Sequence, residues 1–214
     1  MKNEIETQKI ISTLKETYPN ATCALVYSSP LQLLIAARLS AQCTDKRVNM
    51  ITPELFARFK CAKDFANAAK EEVEAIIKPC GLYKTKARSI IEICKKIISD
   101  FNGEVPSKME DLTSLPGIGR KTANLVRGEI FGKPGIIVDT HFSRVTGRIG
   151  FHNLKNPAKI EKEMKKIIPE EETLKFCHRI VIHGRNICKA RKPLCEECPL
   201  KKMCDYSIRK ENEK

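Results

Sequence analysis

The chain has 214 residues, enough for one large helical domain or two small ones with a real hydrophobic core. Its 39 Lys and Arg against 26 Asp and Glu leave a net charge of +13, an excess that must sit on solvated surface and favours a polyanionic partner. Ten cysteines would suit a disulfide framework in a small exported domain. However, Met1-Lys2-Asn3-Glu4-Ile5-Glu6 lacks the apolar core of a secretion signal, and no stretch approaches the roughly 20 apolar residues of a bilayer span. The expectation is an intracellular protein with reduced thiols.

In chain order, Ile5, Ile11, Leu14 and Tyr18 recur at helical spacing and predict a first helix. Pro30 opens an apolar run through Leu33-Leu34-Ile35-Ala36-Ala37, and Pro53, Pro106 and Pro157 stand at the start of further helix-like runs. Ile90, Ile91, Cys94, Ile97 and Ile98 mark one face of a helix that closes at Asn102-Gly103, while Gly81 and Gly132 sit just past the ends of others. Alternating strand patterns are nearly absent, so the fold class is all-α. Cys23, Cys43, Cys61, Cys80, Cys94 and Cys177 lie among apolar residues, where a thiol packs as a small hydrophobe. The charged tail from Arg209 to Lys214 is expected to fray.

Between two helical runs lies Leu115-Pro116-Gly117-Ile118-Gly119-Arg120-Lys121-Thr122-Ala123, with Ala123, Val126 and Ile130 continuing one face of the second. Two glycines let the chain turn tightly, and the following helix start adds the positive end of its dipole. An anion such as a DNA phosphate would fit such a turn, held by backbone amides and indifferent to base sequence, with Ile118 as the inward anchor. The alternative is an ordinary connector between packed helices.

Further on, Asp139 precedes Thr140-His141-Phe142 and is a candidate N-cap for the helix there. Near the end, Cys188, Cys195, Cys198 and Cys204 leave intervals of six, two and five residues. Four thiolates on a short loop can enclose tetrahedral zinc or a four-iron cluster. Structural zinc sites more often show two close pairs, and here only one pair is close, which leans toward the cluster while leaving zinc open.

The string Leu115 to Ala123, followed by Asp139 and the four-cysteine spacing, resembles the endonuclease III family of DNA glycosylases. The likeness spans residues 3 to 206 and includes Leu39-Ser40-Ala41-Gln42-Cys43-Thr44-Asp45, Gly81-Leu82-Tyr83 and His183-Gly184-Arg185. It implies a helix-hairpin-helix motif within a six-helix barrel over residues 24–133. A second domain would combine residues 1–23 with 134–214 and hold an iron-sulfur cluster. A cleft between them would present Lys121 and Asp139 to one flipped nucleotide.

In such an enzyme an amine attacks the sugar's anomeric carbon and leaves a Schiff base that labilises the 3′ phosphate. The resemblance gives that role to Lys121, which falls in the first turn of a helix beside Arg120, where positive charge is disfavoured. Without it, Lys121 is a solvated lysine. Asp139 would accept a proton or stabilise positive charge on the sugar, and such a role is compatible with capping. Cys188, Cys195, Cys198 and Cys204 would bind a 4Fe-4S cluster.

Glycosylases extrude their target base at a cost of a few kcal/mol. By resemblance Gln42 would enter opposite the orphaned base and Leu82 would wedge into the stack, although Leu82 could instead close a helix end hydrophobically after Gly81. Leu115, Gly117, Ile118, Gly119 and Arg120 of the hairpin, with Lys189, Arg191 and Lys192 of the cysteine loop, would contact DNA backbone. The function implied is a bifunctional N-glycosylase and abasic-site lyase acting on damaged pyrimidines in double-stranded DNA. It would be a monomer in the cytoplasm, on the nucleoid in a prokaryote. Alternatives are a monofunctional mismatch- or adenine-specific glycosylase and a non-catalytic DNA-binding module with structural zinc.

Overall fold

A computed structural model describes residues 2–212, and among them every regular element is helical, as the periodicity predicts. The chain divides into two compact units, one from Cys23 to Gly132 and the other formed by the segments up to Thr22 and from Lys133 onward. None of the described helices is long and apolar enough to cross a membrane.

The Cys23–Gly132 unit contains α2 (Pro30–Leu39), α3 (Asp45–Arg58), α4 (Ala62–Ala66), α5 (Lys70–Ile77), α6 (Tyr83–Phe101), α7 (Met109–Thr113) and α8 (Arg120–Phe131), with a 3-10 turn at Lys78–Cys80. Helix α2 is apolar nearly all round, and a helix of that kind has to be central. Leu33, Leu34, Ile35 and Ala36 are wholly buried, and fully burying each of the larger three contributes about 1.5–3 kcal/mol. Around it, α6 buries Ile90, Ile91, Cys94 and Ile97, leaving Ile98 at the edge of the stripe and 42% exposed. Asn102 and Gly103 end α6 in left-handed conformation, with the Gly103 amide donating to the Ile97 carbonyl at 3.0 Å.

The proline expectations divide. Pro30 occupies the first position of α2, below the Ser29 cap, and Pro157 does the same for α10 (Pro157–Ile167) below Asn156. Pro53 instead lies inside α3, which continues through it because Val48, Thr52 and Leu55 share one buried face that outweighs a missing amide bond. Pro106 lies in the loop before α7 and starts no helix.

The other unit contains α1 (Glu4–Thr17), α9 (Thr140–Ile149), α10, α11 (Thr173–Asn186) and α12 (Asp205–Asn212), with 3-10 turns at Glu170–Glu172 and Lys201–Met203. Asn3 and Glu6 form a capping box that starts α1, whose buried face is Thr7, Ile10, Ile11 and Leu14. Ile5 is 81% exposed, because it sits in the first turn on the far side from that face. Phe176 of α11 is flanked edge-on by Phe142 and Phe151, each with ring centroids 6.1 Å away. The predicted fraying is corrected through Asn212, which is helical, while residues 213 and 214 lie outside the described residues. None of the ten cysteines is in a disulfide; Cys61 is exposed at the N-cap of α4, not packed as a hydrophobe.

Candidate active site and cysteine loop

The hairpin between α7 and α8 is held from below. Leu115 and Ile118 are buried in the core, with the Ile118 amide donating to the Leu115 carbonyl at 3.1 Å. The Ser89 hydroxyl of α6 donates to the Pro116 carbonyl at 2.6 Å and accepts from Arg38 Nε at 2.9 Å. Lys96 donates to the Ser114 carbonyl at 3.2 Å. Gly117 turns the chain at φ +76°, and a Cβ there would meet Arg38 Nε at 2.6 Å and Ser89 Oγ at 2.9 Å. The turn therefore needs glycine for both conformation and space.

Gly119 is different in kind. It is the N-cap of α8, extended at φ −98°, and no side chain caps the helix start. A Cβ on Gly119 would meet nothing within 4 Å. Gly117, Gly119, Arg120 and Lys121 are all exposed, so the positive end of α8 is left open in the way anion-binding helix starts are. Lys121 is the second residue of α8.

Two carboxylates, Glu129 on the same helix as Lys121 and Asp45 at the start of α3, are absent from the sequence motif. Burial pushes the Cys23 thiol up to about 11, the charges of Glu129 and Asp45 push the same way, and that of Lys121 opposes them. All three charges thus act on one half-buried thiol. Glu129 also accepts the Tyr27 hydroxyl at 2.8 Å. Sequence reasoning passed over Tyr27 and Glu129 because they lie 102 residues apart; the one available signal was Glu129 standing eight positions after Lys121 on the same helix.

Gln42 and Leu82 are both exposed, and both adopt left-handed backbone, at φ 54° and 49°. Leu82 is 58% exposed, so it does not close a helix end by packing. A leucine held in that conformation and turned to solvent is strained and unburied, a combination found where the side chain has work outside the fold.

In the other unit, Asp139 caps α9, its Oδ1 accepting the Phe142 amide at 2.6 Å. The same helix reaches the cysteine loop. Arg144 donates to the carbonyls of Gly184 at 2.9 Å and Cys188 at 3.0 Å. Arg148 donates to the carbonyls of Lys189 and Ala190 at 2.7 and 2.9 Å and stacks 4.7 Å from the Tyr206 ring. Lys189, Arg191 and Lys192 remain exposed, Lys192 with φ 50°.

Cys188, Cys195, Cys198 and Cys204 line a single cavity with Val145, Ile149, Ile187 and Leu200. Among the described residues, no three His, Cys, Asp or Glu side chains converge tightly enough to hold one metal ion. Tetrahedral zinc would draw four sulfurs to about 2.3 Å from one centre, whereas a four-iron cluster gives each thiolate its own iron and holds them apart around a cavity. The donor set fits the cluster. Burial and the neighbouring thiols push Cys198 up to about 11, so a cationic centre is needed to keep the thiolates ionised. His183 links this loop to α1, with Nε2 3.5 Å from Cys198 Sγ and Nδ1 3.0 Å from the Tyr18 hydroxyl, and burial lowers it to about 4.

Residues 35–170 match the family model of HhH-GPD superfamily base excision DNA repair proteins, and residues 188–204 match that of the iron-sulfur binding domain of endonuclease III. The cofactor is accordingly a 4Fe-4S cluster. The chain is 46% identical to the endonuclease III of Synechocystis sp. over 92% of its own length and 90% of the relative's. It is 42% identical to that of Bacillus subtilis, over 95% and 94%. Its structure superposes on an endonuclease III trapped as a covalent intermediate with DNA with a TM-score of 0.93, at 41% identity, covering 99% of this chain and all of that one. The chain belongs to the endonuclease III family, within the HhH-GPD superfamily of base excision DNA repair proteins.

Proposed function

We propose that this protein is a bifunctional DNA N-glycosylase and abasic-site lyase that removes damaged pyrimidines from duplex DNA, with Lys121 as its nucleophile. The observation that carries this is the exposed Lys121 at the uncapped start of α8, directly after a hairpin locked onto the core. A phosphate bound by the first amides of α8 brings the sugar of a neighbouring nucleotide to an amine in the same first turn. The covalent DNA complex of a relative supports a covalent mechanism, in which a nucleophile of the protein bonds to the DNA.

In that mechanism the Lys121 nitrogen bonds to the anomeric carbon while the glycosidic bond breaks, and its electron pair leaves with the base, which takes up a proton. The attacking nitrogen loses a proton, the acceptor role that the family resemblance gives to Asp139, and the sugar ring opens to an imine. Loss of a C2′ proton expels the 3′ phosphate, and water then releases Lys121. Asp139 keeps its cap throughout, since Oδ1 serves the Phe142 amide and leaves the other oxygen for chemistry.

Cys188, Cys195, Cys198 and Cys204 hold the cluster, whose part is to tie the loop together. Lys189, Arg191 and Lys192 then face the DNA backbone. We take the Cys23–Gly132 unit as the family's helix-hairpin-helix barrel and the remainder as its cluster domain, in a monomer working on the nucleoid.

Borohydride reduces only an imine to a permanent cross-link, so it tests the nucleophile directly. Wild type should be trapped on damaged duplex, and Lys121→Gln should lose trapping and strand cleavage while still binding the lesion. Asp139→Asn keeps the cap and should slow base release by about 10² with binding retained. Wild type that releases bases but never traps would make the protein monofunctional, with water as nucleophile.

A further inference from the structure

Lys86, on α6, is a lysine with no exposed surface at all. Its Nζ donates to the Leu39 carbonyl at 2.8 Å and to the Cys80 carbonyl at 2.9 Å. Burial lowers its affinity for a proton, and an unpaired buried ammonium would be costly enough that an aliphatic side chain would serve a core better. Something other than core stability has to explain the amine.

The two acceptors supply the explanation. Leu39 is the last residue of α2 and Cys80 the last of the 3-10 turn, so each carbonyl belongs to a helical C-terminus whose final acceptors lack intrahelical donors. Two partially negative helix ends converge on one cation. Three residues after Leu39 stands Gln42, and two after Cys80 stands Leu82, both exposed and both with left-handed backbone. Lys86 is also tied to Leu82 through its own backbone, its amide donating to the Leu82 carbonyl at 3.0 Å. One side chain therefore joins two loops that are 40 residues apart in sequence.

On the reading that Gln42 and Leu82 enter the duplex, we propose that Lys86 is the positioning residue that clamps those two loops at a fixed separation, so that one residue fills the hole as the other parts the stack. Insertion into a base stack tolerates little slack, because the orphaned base and the stacking gap are set by DNA geometry. A clamp built on backbone carbonyls fixes the loops whatever their side chains do.

The test compares wild type, Lys86→Met, Lys86→Gln, Gln42→Ala and Leu82→Ala on two substrates. One is a duplex with a damaged pyrimidine and 2-aminopurine in the opposite strand beside the orphan position. The other is a single strand with an abasic site, which has no stack to part. Lys86→Met keeps the length and loses both donors, and should lower kcat/KM on the duplex by roughly tenfold to 10²-fold with a matching loss of the 2-aminopurine fluorescence rise. Cleavage of the single strand should stay within about twofold, since the positioned chemistry is elsewhere. Lys86→Gln, whose shorter donor reaches one carbonyl, should fall between and serves if the Met variant does not fold. Equal losses on both substrates would make Lys86 a general structural residue and overturn the proposal. So would wild-type duplex rates in both Lys86 variants while Leu82→Ala is impaired, an outcome that leaves insertion standing. Gln42→Ala and Leu82→Ala acting at wild-type duplex rates would instead remove the insertion reading, and the clamp's purpose with it.

Discussion

Replacing Gly117 and Gly119 separately by alanine should divide two roles that look identical in the sequence. At Gly117 the backbone stays at φ +76°, which costs an L-residue about 1–2 kcal/mol. The new Cβ would also lie 2.6 Å from Arg38 Nε and 2.9 Å from Ser89 Oγ, so one of them must move. Either movement breaks the chain from Arg38 through Ser89 to the Pro116 carbonyl, two hydrogen bonds worth about 1 kcal/mol each. Gly117→Ala should therefore lose about 2–4 kcal/mol of folding stability. At Gly119 the conformation is open to any residue and the space is empty, so Gly119→Ala should stay within about 0.5 kcal/mol of wild type. That methyl group nevertheless stands at the uncapped helix start, where a phosphate would have to approach, and DNA affinity should drop. Urea unfolding and DNA titration at fixed salt measure the two quantities. Similar stability losses in the two variants, or unchanged DNA binding by Gly119→Ala, would refute the division.

Further outcomes follow from other parts of the structure. Lys189→Gln, Arg191→Gln and Lys192→Gln together should flatten the slope of log affinity against log salt by about 0.9 for each phosphate that is no longer neutralised; an unchanged slope would take these residues off the DNA. Cys198→Ser should abolish the visible absorbance and iron content of the purified protein, and a colourless wild type with one zinc would overturn the cluster ligands. The buried imidazole of His152 accepts the Leu154 amide at 3.2 Å, and its other nitrogen lies 2.8 Å from Thr146 Oγ1, whose hydroxyl is already committed to the Phe142 carbonyl. Burial holds it below the ordinary 6.5. The unfolded chain then binds the proton more readily, so stability is complete above about pH 6.5 and falls as pH drops below that value. His152→Gln should flatten that fall in thermal melts between pH 7 and 5, and an equally steep fall in the variant would place its origin elsewhere.

Local chemistry was legible in the sequence wherever neighbours along the chain carry it. The helical class, the breaks at Asn102-Gly103 and Gly132, the caps over Pro30 and Pro157 and the inward turn of Ile118 all depend on residues within a few positions of one another. So do the cysteine spacing and the candidacy of Lys121 and Asp139. Pro53 was misread as a helix start because proline signals only a local preference, and the buried face of Val48, Thr52 and Leu55 overrides it. Ile5 and Ile98 were misread because periodicity ranks residues by stripe and cannot say how wide a stripe the neighbours cover. Nothing in the sequence separates Gly117 from Gly119, since what forbids a side chain at Gly117 is Arg38 and Ser89, from two other helices. Likewise Lys86 reads as one lysine among many on an amphipathic helix. Only the tertiary structure makes it the donor to Leu39 and Cys80, because its partners are backbone carbonyls, which carry no residue-specific mark for a sequence to show.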